Sequence, residues 1–215
     1  MATLSICIGG SLRSDPKWPV REKHSGPPVA RLITHLFSPV GVAALVFPGI
    51  SVLGEEEGIG GCLVAVAVFA VLPVILVKRL KTVWKIDDIY DPGPSMRARI
   101  LALGNVVYVI GIIALKYIGA GPVTLWGAAS FLGGSALVWG ISRFWKISIH
   151  AVGVAGGAVI LAAVGGGALW PVALAPVAVG WARLQLGAHT LAQVVAGSLL
   201  GAAVAGTLLP LFLGR

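Results

Sequence analysis

Several uninterrupted apolar runs in this chain exceed the roughly 18 to 20 residues that cross about 30 Å of hydrocarbon, which makes the bilayer its solvent. The 215 residues are 57% hydrophobic and only 11% charged, with a mean hydropathy of +0.95. A soluble domain carries about 25% charged residues to fill its water-facing positions, so this chain cannot cover itself in water. Lipid offers backbone groups no hydrogen-bond partner, and runs of this length must therefore be helices. The expected fold is all-α, a polytopic integral-membrane helical bundle with six or seven transmembrane helices.

Apolar runs between polar punctuation place spans near 30 to 53, 60 to 79, 100 to 119, 122 to 142, 148 to 166, 168 to 183 and 190 to 212. The sixth has about 16 residues and contains Pro171 and Pro176, so six full spans plus one irregular segment satisfy the pattern equally well. Residues 1–29 read as a polar basic N-terminal tail with Arg13, Asp15, Lys17, Arg21, Glu22 and Lys23 and no apolar core of a secretory signal. Residues 30–215 read as a single transmembrane domain. Two glycine pairs at i, i+4, Gly153 with Gly157 and Gly197 with Gly201, permit close helix approach. Cys7 and Cys62 supply neither a disulfide nor a metal framework.

If the spans alternate, fourteen of the sixteen Lys and Arg residues fall on one side, and Lys116, Arg215 and the run Glu55, Glu56, Glu57 on the other. The positive-inside rule makes the basic side cytoplasmic, which suits an integral protein of the plasma (inner) membrane. The net charge of +8 sits at the ends of apolar stretches and is not interleaved with aromatics. It reports topology and anionic headgroups, and no nucleic-acid partner is expected. Trp84, Trp145 and Trp181 lie near span boundaries and fit an interfacial belt.

On that basic side, His150, Arg183, His189, Lys85, Arg97 and Arg99 arrive from three separate segments. His150 stands in Lys146-Ile147-Ser148-Ile149-His150, at the start of the fifth span. His189 follows Arg183 by six residues and stands at the N-terminus of the last helix, where free backbone N–H groups favour an anion. His24 and His35 have no spacing partner and read as structural.

Arg183-x5-His189 and Ser148-x-His150 resemble the third motif, Ser-Arg-x5-His-x3-Asp, and the second motif, Pro-Ser-Gly-His, of the type 2 phosphatidic acid phosphatase family, which shares its core with the vanadium haloperoxidases. The resemblance covers roughly residues 80 to 212. The order of the two motifs is kept, but Ala182 replaces the family serine, Ile147 and Ile149 the proline and glycine, and Gln193 the aspartate. The first motif, Lys-x6-Arg-Pro, is absent as written, with Lys85 and then Arg97-x-Arg99 as its stand-in. The resemblance implies hydrolysis of a lipid phosphate without cofactor or metal: His189 attacks phosphorus, and His150 protonates the leaving oxygen and later activates water. Arg183, Lys85, Arg97, Arg99 and Ser148 would hold the phosphate oxygens, and the Gln193 carbonyl would accept the His189 Nδ1 hydrogen without adding charge.

The implied partners are the bilayer and a lipid substrate, phosphatidate or a polyprenyl diphosphate; the oligomeric state is not legible. Two other classes stand beside this one. A weakened relative would bind lipid phosphate and release nothing. An Mg²⁺-dependent membrane prenyltransferase would use Asp87-Asp88-x-x-Asp91 to bridge a diphosphate, although no acidic residue follows Asp91 and such enzymes resemble one another in carrying two such motifs.

Overall fold

The computed structural model describes residues 26–54, 58–85 and 93–214, and among these the regular structure is entirely helical. Helix α1 (Pro28–Leu36) breaks at Phe37–Ser38 into α2 (Pro39–Leu53), with a bend of 52°. Ser38 accepts a hydrogen bond from the Gly41 N–H at 3.2 Å, and Pro39 stands at the first helical position, where its missing N–H costs nothing.

The second long helix, residues 59–83, is α3 (Ile59–Val66), a π-helical turn (Ala67–Val71) and α4 (Leu72–Val83). Pro73 explains the widened turn. Its ring would strike the carbonyl of Phe69 four residues back, and an i→i+5 turn moves that carbonyl aside without ending the helix. Phe69 is thereby held in an aromatic cluster, stacked on Tyr108 with centroids 4.6 Å apart and tilted against Phe47 at 5.2 Å.

Then follow α5 (Pro94–Tyr117), α6 (Pro122–Ile141) and α7 (Ile149–Gly165), a 3-10 segment (Gly166–Leu174), α8 (Ala175–Gln185) and α9 (Leu191–Leu213). Four helices are long and apolar enough to cross a membrane, and the bent α1–α2 pair makes a fifth. The α7 helix is apolar but has only 17 residues. The stretch expected as the sixth span is divided, because Pro171 and Pro176 each lack the N–H that an unbroken α-helix would use.

α7 and α9 pack more extensively than any other helix pair. The glycine pairs do not face one another as their shared spacing suggests. Gly197 and Gly201 lie against the α7 backbone, with Gly156 as the glycine that meets Gly201, while Gly153 and Gly157 face Pro39 and Val42 of α2. At Gly201 a methyl group would press into the Val152 carbonyl, and backbone cannot step aside as a side chain can. Gly201→Ala is expected to lower stability by about 1 to 3 kcal/mol, read as a lower melting temperature in detergent, while Gly206→Ala, where a Cβ has open space, leaves it unchanged.

Candidate active site

The interval between Arg183 and His189 is set by the way α8 ends. The Ala188 N–H donates to the Arg183 carbonyl at 3.1 Å and the Gly187 N–H to the Leu184 carbonyl at 2.9 Å, with Gly187 left-handed at φ 58°. This is a Schellman turn, which reverses the chain in the fewest residues and needs glycine at its left-handed position. Thr190 then caps α9, so His189 is fixed between the end of one helix and the start of the next.

The first turn of α9 also orients the imidazole. Gln193 Oε1 accepts the Thr190 backbone N–H at 3.1 Å and lies 3.1 Å from His189 Nδ1, while Thr190 Oγ1 accepts the Gln193 N–H at 3.4 Å. A backbone amide can only donate, so the glutamine atom it meets is the oxygen. His189 Nδ1 must therefore carry the ring proton, and Nε2 is left with its lone pair. One carbonyl oxygen closes the capping box and sets the tautomer.

His150 occupies the second position of α7, behind Ser148, whose hydroxyl oxygen accepts the Ala151 N–H at 3.4 Å. The Ser148 N–H donates to the Gln193 carbonyl at 3.3 Å, which ties the start of α7 to the first turn of α9. Two helix N-termini, each with a partial positive charge, thus lie side by side. The charged neighbours of His150 include Arg183, Arg97 and His189, and those of His189 include Arg183, Arg97 and Lys146. Both histidines, Arg97, Lys146, Arg183, Ser148 and Gln193 are buried, and neither ring nitrogen of His150 has a hydrogen-bond partner among the described residues.

Arg97 reaches the cluster from the first turn of α5, donating from Nε to Ser142 Oγ at 3.2 Å and from a terminal nitrogen to the Ile147 carbonyl at 2.6 Å. The bonds fasten α5 to the 142–148 connection. Arg99 is exposed, as its spacing requires: two residues along an α-helix turn about 200°, so only one of the pair can face the bundle. Lys85 is also exposed, just past the end of α4, and neither it nor Arg99 is a charged neighbour of either histidine. Asp87, Asp88 and Asp91 lie outside the described residues, as do all the other acidic residues of the chain. No group of three metal-ligating side chains occurs among the described residues.

Sequence reasoning counted Lys146 only as a marker of topology. Its signal was position: a cation two residues before a capping serine whose helix opens on a histidine. Burial, then the positive charges of Arg183, Arg97 and Lys146, hold the His189 imidazole well below the ordinary histidine value of 6.5, against a smaller upward pull from Gln193. Unfolded, the same side chain titrates near 6.5, so below that pH the unfolded chain takes up a proton that the folded chain refuses. Stability therefore falls with pH in the window between 6.5 and the lower folded value, and His189 adds no pH dependence above it. The arrangement is suited to a buried anion met by two arginines, a lysine, two helix N-termini and one unprotonated imidazole nitrogen. Compared with known proteins, the chain matches no family model, no curated protein and no solved structure.

Proposed function

We propose that this chain is a membrane lipid phosphatase that hydrolyses a phosphomonoester or diphosphate on a lipid through a phosphohistidine. The observation that carries the reading is the Thr190–Gln193–His189 arrangement, which leaves a bare Nε2 inside a buried cationic cluster. In the proposed mechanism His189 Nε2 attacks phosphorus, and its Nδ1–H stays on the Gln193 oxygen. His150 gives a proton to the departing lipid oxygen and then takes one from the water that releases phosphate. Arg183, Arg97 and Lys146 offset the charge that gathers on the non-bridging oxygens, arginine as a fork and lysine as a point charge.

In this reading all seven apolar segments pass through the bilayer in alternation, with α7 and the divided 166–185 segment as a short pair. The motif residues then share the basic, cytoplasmic face. The resemblance to type 2 phosphatidic acid phosphatases supports the assignment of roles. The cations also serve a second reading, in which the neutral Gln193 leaves a protein that binds lipid phosphate with little turnover.

Phosphate release from phosphatidate, phosphatidylglycerophosphate and prenyl diphosphates by detergent-purified protein in excess chelator tests the proposal. Release that persists without metal supports it, and silence across the panel with lipid phosphate still bound supports the second reading. Because His189 must be unprotonated to attack, the acid limb of kcat/KM should lie below pH 6.5. Gln193→Glu keeps the oxygen in place and adds a negative charge, so it should move that limb upward and raise turnover at least about tenfold.

A further inference from the structure

Beside the cluster, a crevice descends into the bundle between α2, α5, α6, α7 and α9. It starts at Ile149, next to His150, and ends against Ile160, Tyr108 and Phe131. The run from Ile149 to Ile160 along α7 is about 16 Å at ~1.5 Å per residue. Counting down α5 from Arg97 to Tyr108, or up α6 from Ser142 to Phe131, gives the same depth. That is about the hydrocarbon thickness of one leaflet, half of ~30 Å.

The walls are unusually bare, since α7 presents Gly153, Gly156 and Gly157 to the crevice. The Ser130 hydroxyl on the far wall already donates to the Trp126 carbonyl at 2.8 Å, so it asks nothing of an occupant. The crevice encloses about 450 Å³, part of it open to the outside. Spread over its depth, that volume makes a slot about 6 Å across. Carbon atoms in contact sit 3.5 to 4.0 Å apart, so the slot admits one hydrocarbon chain and not two abreast.

We infer that this crevice holds a hydrocarbon chain of the substrate, and that the preferred substrate is a single-chain lipid phosphate, such as a prenyl or alkyl phosphate, in place of a diacyl lipid. The inference rests on the phosphatase reading for the position of the headgroup. Continuity supports it: Ile149 lines the slot while His150, the next residue, belongs to the cluster, so phosphate and chain are received by one helix turn. Gly153, one turn further in, controls the entrance. A methyl there would meet only Pro39, with its Cα at 3.6 Å, whereas a leucine would occupy the slot.

The test is photolabelling of the full chain in detergent with dodecyl phosphate bearing a terminal diazirine, with phosphate release measured on the same samples. The expected adducts are on Tyr108, Phe131 or their neighbours on the slot. They should fall at least tenfold in Gly153→Leu and in Ser135→Leu, which fills the slot from the opposite wall, and persist in Gly153→Ala. Farnesyl phosphate should compete at lower concentration than dioleoyl phosphatidate. Adducts on the lipid-facing residues Ile110, Ile113 or Leu199, unchanged in the leucine variants, would overturn the proposal, as would equal competition by the two lipids. Slot labelling without phosphate release would leave the crevice standing and remove the phosphatase reading, and release with outer-face labelling would do the reverse.

Discussion

Phosphate release by His189→Ala is expected to fall to background, at least about 10³-fold below the parent protein, because removing a covalent nucleophile removes the reaction path itself. The fold should survive. His189 lies outside α9, and the Schellman turn before it and the capping box after it are built from the backbone, Thr190 and Gln193. Lipid-phosphate binding should also persist, since Arg97, Lys146 and Arg183 remain. A protein that binds substrate normally, melts normally and releases nothing is the expected result, checked by a phosphate assay beside an equilibrium lipid-binding measurement. Unchanged release in His189→Ala would falsify the nucleophile assignment however similar the motif spacing.

Arg183→Ala should lower kcat by about 10² to 10³, the loss typical when one pre-placed donor to a developing oxyanion is removed. Arg183→Lys should recover only part of it, because a point charge replaces a planar two-pronged donor. The loss should divide unevenly, with kcat falling more than KM rises, since the charge on the phosphoryl oxygens is most concentrated as the bond to His189 forms. A second signature separates this role from simple packing. Arg183 is among the charges that hold His189 unprotonated, so in both Arg183→Ala and the parent the acid limb is measurable, and it should move toward 6.5 only in the alanine protein. An equal fall in binding and turnover with an unmoved acid limb would reduce Arg183 to a structural residue.

Much of this architecture was legible in the sequence because hydropathy reports on it directly. The seven apolar runs correspond to the seven helical passes in order, with ends that differ by a few residues. What the runs could not show was where each pass bends. The break at Phe37–Ser38, the π turn before Pro73 and the 3-10 stretch around Pro171 all lie inside continuous apolar sequence, and each follows from a proline or a capping serine instead of a change in polarity.

In the site, the spacing of Arg183 and His189 carried over because a turn of fixed geometry produces it, and the Gln193 carbonyl meets His189 Nδ1 as four-residue spacing allows. Lys85 and Lys146 show the limit. Both are lysines at the end of an apolar run, and only tertiary packing makes one exposed and the other buried. Arg97 and Arg99 were distinguishable in principle, from helix phase alone.

The oxygen of Gln193 has a consequence for how this chain tolerates change. Folding and chemistry draw on the same atom, so a survey of variants scored only by yield or melting would mark position 193 as a helix-start preference and miss its effect on the imidazole. Leucine there would lose both contributions together, and the two could not be told apart. Glutamate alone keeps the cap while altering the electrostatics, which makes it the substitution that separates a requirement of assembly from a requirement of turnover.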